Sequence, residues 1–121
     1  KLEEYMSVMQ NKSYNHIIVL YDLIITSQAK KILNSQSDIT IELFKIEDLV
    51  FNIPDHHLVP KHTRLCPKSD LYKKLFEKYG HNLSKILIND PISKYYFYKL
   101  NDIIEIERKD GSICYRIVSN I

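Results

Sequence analysis

Apolar and polar positions along this chain follow two periods, and they divide it into helices and strands. Leu2, Tyr5, Met6 and Met9 recur at helical spacing, which predicts an amphipathic helix over residues 1–11. His16 to Tyr21 is a short run rich in Ile and Val and reads as a buried strand. Thr26 or Ser27 can cap a helix carrying Ala29, Ile32 and Leu33. From Asp38 to Phe44, Ile39, Ile41 and Leu43 alternate with Thr40 and Glu42, the period of a strand. Strand, helix and strand in this order imply a right-handed crossover between parallel strands. Ile46 to Phe51 is a short connection. Pro54 and Pro60 then mark an extended segment, because a residue before proline is biased to extended geometry. Pro67 suits a first helical turn, and Leu71, Tyr72, Leu75, Phe76 and Tyr79 make one apolar face that Gly80 closes as a left-handed stop. Asp90-Pro91 is an N-cap followed by proline at the first helical position, so a short helix is expected over 91–97. Ile103 to Arg108 and Ile113 to Val118 read as two strands joined at Asp110-Gly111, a hairpin signal.

Composition narrows the function classes without choosing one. At 121 residues the chain has the size of one domain or two very small ones, and can bury roughly 65% of its unfolded surface. A hydrophobic fraction of 45% and a charged fraction of 26% are ordinary for a globular protein. A formal net charge of +2 does not announce a nucleic-acid binder, so any DNA contact must come from a local patch. Cys66 and Cys114 do not make a disulfide framework, and a reducing intracellular compartment is the simpler reading. No apolar run is long enough to span a bilayer, and no signal peptide is seen. A chain that opens on Lys1 is expected to lack an N-terminal portion.

Candidate chemistries are weak. His56, His57, His62, Cys66 and Cys114 have the residue types of a zinc site, but their order and spacing fit no standard pattern. His56 and His62 could share a strand face, interrupted by proline; the bland alternative is that they bond locally and the cysteines fill core space. Asp90 with Glu107 and Lys109 has the composition of a Mg²⁺-dependent nuclease core, against which stands a capping Asp90 and a solvated strand face. His16 and His81 have no nucleophile or carboxylate at a telling spacing, and two glycines cannot build a phosphate loop. Tyr95, Tyr96, Phe97 and Tyr98, flanked by Lys94 and Lys99, are four consecutive aromatics that no helix can bury together. Contact with a partner protein explains them better than base stacking.

Two motifs carry more. The segment Asn52-Ile53-Pro54-Asp55-His56-His57-Leu58-Val59-Pro60-Lys61-His62 resembles the N-I-x-x-H-x-L-V-P-x-H opening strand of the small fifth subunit shared by eukaryotic nuclear RNA polymerases, a family with an archaeal counterpart. Asp90-Pro91-Ile92-Ser93-Lys94-Tyr95 is similar to that family's D-P-[V/I]-[A/S]-[R/K]-Y turn. Tyr79, Arg108 and the closing Tyr115-Arg116-Ile117-Val118 strand also match, and Thr26-Ser27-Gln28-Ala29-Lys30 resembles the T-P-S-A-K helix start of the eukaryotic jaw domain, which archaeal members lack. The family's glycine after the aromatic is replaced in the region of Phe97, a second glycine is Asn101, and a long hairpin is reduced to Lys109-Asp110-Gly111-Ser112. Asn tolerates positive φ, so that turn can survive. These departures suit a divergent member, one carried by a large virus with its own polymerase.

The resemblance implies an α+β chain. Residues 1–50 would be a truncated βαβ fragment, the C-terminal part of a jaw domain. Residues 51–121 would be a small mixed α/β assembly domain ending in an antiparallel hairpin. It implies a noncatalytic structural subunit that docks on the largest RNA polymerase subunit beside other polymerase subunits, with weak contact to downstream DNA and no membrane. No cofactor, catalytic residue or metal ligand is expected in this chain. Its location would be the nucleus in a cell, or the virion or host cytoplasm for a virus. Partner contacts are expected at His56, Leu58, Val59, Pro60, His62, Asp90, Pro91, Lys94, Tyr95, Arg108, Tyr115 and Arg116. The alternatives are a free-standing nucleic-acid-binding module and a Mg²⁺-dependent nuclease.

Overall fold

The computed structural model describes residues 2–121, with side chains from Glu4 onward; the part of the first predicted helix on Lys1 lies outside the described residues. The chain folds as two units, residues 1–51 and 52–121.

The first unit contains α1 (Leu2–Asn11), β1 (His16–Tyr21), α2 (Ser27–Asn34) and β2 (Thr40–Lys45), followed by a 3₁₀ turn over Ile46–Leu49. β1 and β2 pair in parallel from His16 opposite Thr40 to Tyr21 opposite Lys45, as a βαβ order requires. Thr26 caps α2: its Oγ1 accepts the Ala29 N–H at 3.2 Å. Among the described residues of this unit, Met6 of α1 and Leu33 of α2 are the buried apolar side chains.

The strand forms over His16–Tyr21 as expected, but the expectation that it is buried is corrected. Ile17, Val19 and Tyr21 are half-buried, while Ile18 (59%) and Leu20 (55%) stay exposed. A two-stranded sheet with apolar residues on successive positions has one covered face and one open face. Glu42 breaks the alternation expected for β2, because it is half-buried like its neighbours and its carboxylate meets His16 Nε2 at 2.5 Å.

The second unit contains β3 (Lys61–Arg64), α3 (Asp70–Tyr79), β4 (Ser84–Leu87), α4 (Pro91–Tyr95), β5 (Ile103–Glu107) and β6 (Ile113–Ser119). Its four strands lie in the order β3-β5-β6-β4, with β4 parallel to β6 and the other pairs antiparallel. One face carries Ile104 and Ile106 of β5, Val118 of β6 and Ile86 of β4; these form the core with Ile92 and Tyr98. Ile53, Val59, Ile88 and Cys114 pack against it. Ile103 and Ile117, opposite each other on the other face, are buried too. Central strands buried on both faces tolerate consecutive apolar residues, which is why Ile103-Ile104 and Ile117-Val118 sit side by side in sequence. Each such burial contributes on the order of 1.5–3 kcal/mol. The hairpin forms at the predicted place: Gly111 (φ 80°) donates to the Arg108 carbonyl at 2.9 Å, and Arg108 donates to Ser112. This is a three-residue loop closed by glycine in the left-handed region.

Four further expectations are corrected. The segment from Pro54 to Pro60 is not one extended strand. Ile53–Asp55 is a 3₁₀ turn, His56 to Val59 turns again, and only Lys61–Arg64 pairs in the sheet. Proline in the first turn needs no amide partner, so Pro54 favours the turn as readily as extension. Pro67 lies in the turn before α3, whose cap is Ser69; its Oγ accepts the Tyr72 N–H at 3.2 Å. Gly80 ends α3 at φ 49° but ψ −128°, outside the left-handed helical well. On the α3 apolar face Tyr72 and Leu75 are half-buried, while Leu71, Phe76 and Tyr79 remain exposed. α4 also stops at Tyr95 instead of 97.

Candidate partner-binding surface

The predicted contact residues fall into two groups, one around α4 and one on the sheet. The turn over Ile53–Asp55 lies beside α4, so the two motifs that are far apart in sequence meet at one end of the second unit. Within the turn, His56 Nδ1 accepts the Leu58 N–H at 3.3 Å, which holds the bend before the strand. Val59 N–H donates to the His56 carbonyl at 2.9 Å, turning Val59 inward onto the core and Leu58 outward. Leu58 is 76% exposed. His62 Nδ1 lies 2.7 Å from the Pro60 carbonyl, which fixes the ring as the Nδ1–H donor. Pro60 itself is half-buried. His56 and His62 thus bond locally, in different elements, and do not share a strand face.

α4 begins as the Asp-Pro pair predicts. Asp90 Oδ1 accepts the Ile92 N–H at 2.9 Å, and Pro91 takes the first position with its missing amide unneeded. Ile92 and Ser93 point inward, Lys94 is half-buried, and Tyr95 is 55% exposed. The end of the helix has the hydrogen-bond pattern of a Schellman motif: Tyr98 N–H donates to the Ser93 carbonyl (2.9 Å) and Phe97 N–H to Lys94 (3.2 Å). Phe97 occupies the left-handed position at φ 53°, where glycine is the usual residue. That reversal sends Tyr98 back onto Ile92 in the core and leaves Tyr95, Tyr96, Phe97 and Leu100 on the surface. Tyr96 stands edge-on to Tyr95 (5.0 Å) and stacked on Tyr98 (5.5 Å), and Lys99 Nζ lies 5.7 Å from the Phe97 ring. Asn101 follows at φ 68°, the conformation its family glycine would supply. Burial pushes the Tyr98 phenol up to about 12. These rings make an apolar patch carried on backbone that the caps hold in place, and Leu58 is exposed just beyond the turn that lies beside α4.

The sheet residues are placed apart. Arg108 lies in the hairpin, beyond the last residue of β5. Tyr115 faces Glu105 across β5–β6; burial and then its hydrogen bond to that carboxylate raise its phenol. Arg116 Nη1 donates to the Lys85 carbonyl at 2.9 Å and ties β6 to β4. Leu100, exposed just after the aromatic run, was not among the predicted contacts; its adjacency to the run was the available signal. Among the described residues no three His, Cys, Asp or Glu side chains are grouped to hold a metal ion. Asp90 is engaged as a cap and Glu107 pairs with Lys61 at 3.3 Å across β3–β5, so the nuclease arrangement draws no support from the geometry. Among the described residues no helix is long and apolar enough to cross a membrane.

Residues 51–118 match the family described as RNA polymerase Rpb5, C-terminal domain, and the chain belongs to that family. It is 31% identical over 114 residues to the DNA-directed RNA polymerases I, II, and III subunit rpabc1 of Dictyostelium discoideum, covering 89% of this chain and 57% of that protein. It is also 31% identical over 118 residues to a protein of Invertebrate iridescent virus 6, 454R, whose name describes a DNA-directed RNA polymerase subunit; 89% of this chain and 64% of the viral protein are covered. The archaeal DNA-directed RNA polymerase subunit Rpo5 of Methanothrix thermoacetophila is 39% identical over 75 residues, with 56% of this chain matching 94% of its length. The chain therefore spans less than two thirds of the eukaryotic and viral relatives and nearly all of the archaeal one.

Proposed function

We propose that this chain is a noncatalytic structural subunit of a DNA-dependent RNA polymerase. The observation that carries the reading is the archaeal match: a named polymerase subunit is aligned over 94% of its length with little more than half of this chain. The matched share is the size of the second unit, and the family match begins one residue before that unit. In this reading residues 51–121 form the assembly domain, which docks on the largest subunit. Residues 1–50 form the C-terminal part of a jaw domain beside the downstream DNA channel. RNA synthesis belongs to the two large subunits with their Mg²⁺, and this chain contributes shape and contacts only. It works in the nucleus of a cell, or in the virion or host cytoplasm if its polymerase is viral.

The docking face is the apolar end built by Leu58, Tyr95, Tyr96 and Phe97, with Pro91 and Lys94 on the same short helix. Half-exposed aromatic anchors on rigid backbone are the groups that carry binding energy at protein interfaces. Arg116 and Asp90 support the fold of that unit through their hydrogen bonds. Co-expression of the tagged chain with the largest polymerase subunit from the same source tests the reading. A one-to-one complex on size exclusion is expected, weakened at least tenfold by Leu58→Asp with Tyr95→Ala in a chain that still folds. A large subunit that elutes without this chain would overturn it.

A further inference from the structure

The charge of this chain is unevenly divided. Residues 52–121 hold twelve Lys and Arg against eight Asp and Glu, while residues 1–51 hold five against seven. The excess is concentrated around α3: Lys68, Lys73, Lys74, Lys78 and Lys85 stand against Asp70 and Glu77. Lys74 and Lys78 are one turn apart on α3, with Lys73 beside them and Glu77 between, and all are exposed. The rest of the helix is half-open as well. Phe76 (39%) and Tyr79 (43%) are exposed rings, Lys78 Nζ lies 5.0 Å from the Tyr79 ring, and Phe76 meets His81 edge-on at 6.0 Å. His81, in the 3₁₀ turn that follows, lines a groove of about 350 Å³ with Lys85, Leu100, Asn101, Ile117 and Asn120. Basic side chains, accessible rings and a groove lined by apolar and amide side chains meet in one place.

We infer that α3 and the turn after it form a contact surface for single-stranded nucleic acid. Phosphates run along Lys73, Lys74 and Lys78 toward Lys85. A base stacks on the exposed Phe76–Tyr79 edge or enters the groove beside His81, where Asn101 and Asn120 can meet its polar edge. A ring surface between phosphate contacts favours a strand with free base faces over a duplex, whose bases are already stacked. The acidic balance of the first unit makes α3, and not α2 with Lys30 and Lys31, the place where this chain meets a polyanion. The inference rests on α3 and the groove beside it, and does not depend on the polymerase reading.

The test is fluorescence anisotropy of the 121-residue chain with a ~12-nucleotide oligothymidylate and with a duplex of equal length. The expected result is binding weaker than about 1 μM, with log K falling against log salt at a slope of about −2 to −3, the value for three or four phosphates on a single strand. Reversal of Lys74→Glu with Lys78→Glu should reduce affinity about tenfold and flatten the slope by about 1.4. Lys30→Glu with Lys31→Glu, an equal charge change on α2, should leave both nearly unaltered. Phe76→Ala with Tyr79→Ala should weaken the single strand and spare the duplex. No binding at low salt, equal loss from both lysine pairs, or a duplex bound as tightly as the single strand would each overturn the inference. Circular dichroism of each variant separates loss of binding from loss of fold.

Discussion

Phe97 offers a quantitative test of the backbone that carries the aromatic face. It sits at φ 53° in the left-handed position that ends α4, between two hydrogen bonds that define the reversal. An L-residue with a side chain costs about 1–2 kcal/mol there, whereas glycine has no such cost. Replacing Phe97 by glycine alone would confound relief of that cost with loss of a ring that lies near Lys99. The comparison of Phe97→Gly with Phe97→Ala removes the ring from both variants. In an ordinary conformation the alanine variant would be the more stable by about 0.4–1 kcal/mol, because glycine has more freedom to lose on folding. At positive φ the steric term outweighs that entropy, and Phe97→Gly is expected to be the more stable by about 0.5–1 kcal/mol. With a urea dependence of about 1 kcal/mol/M for a unit of this size, the midpoints should differ by about 0.5–1 M. The readout is urea unfolding by far-ultraviolet circular dichroism, taking the transition that Ile104→Ala also shifts as that of the second unit. If Phe97→Ala proves the more stable, Phe97 is not left-handed, and the route by which the chain leaves α4 is wrong.

Other consequences are simpler to state. Asp90→Ala should cost about 1 kcal/mol through loss of the cap on Ile92, while Asp90→Asn should cost much less; equal losses would argue against capping. Among the described residues Tyr98 Oη and Ser93 Oγ are buried without a hydrogen-bond partner, so Tyr98→Phe should be neutral or stabilising by up to about 1–2 kcal/mol; a loss of stability would reveal a hidden partner. Burial holds the Tyr98 phenol near 12, above its unfolded value near 10. Its protonated form is therefore favoured by folding: the contribution is complete below pH 10 and disappears as pH rises toward 12, and alkaline absorbance should show one late tyrosine that Tyr98→Phe removes. Asp110 is held below the usual carboxylate value by the Ser112 hydroxyl and then the Ser112 amide, so its support for the hairpin is present above the unfolded value and is lost as pH falls through the lower folded one. Amide chemical shifts of Ser112 should follow that loss, and Asp110→Ala should abolish the titration.

Elements whose signals are local were legible in the sequence. Thr26, Asp90-Pro91 and Asp110-Gly111 act through their own backbone neighbours, and each formed at its predicted place. The parallel pairing of β1 with β2 followed from element order alone. Burial was less legible, because it depends on what covers a face. Ile18 and Leu20 have the composition of a core strand yet lie open, and Leu71, Phe76 and Tyr79 have helical periodicity without a layer above them. The short strand Ser84–Leu87 escaped notice because its apolar residues are few and its pairing with β6 is non-local. Of the candidate surface, the motifs named the right neighbourhood, but only coordinates distinguish Val59, turned onto the core, from Leu58, turned away from it. Sequence also could not separate Arg116, spent on the Lys85 carbonyl, from a side chain available to a partner.

The central claim is that this chain works as a polymerase subunit, and purification of the tagged protein from its native cells or infected host tests it most directly. Mass spectrometry of stoichiometric partners should recover the two large polymerase subunits, with recovery reduced by Leu58→Asp with Tyr95→Ala and unaffected by Lys74→Glu with Lys78→Glu. Purification of a monomer without polymerase subunits, under conditions that keep the polymerase intact, would contradict it.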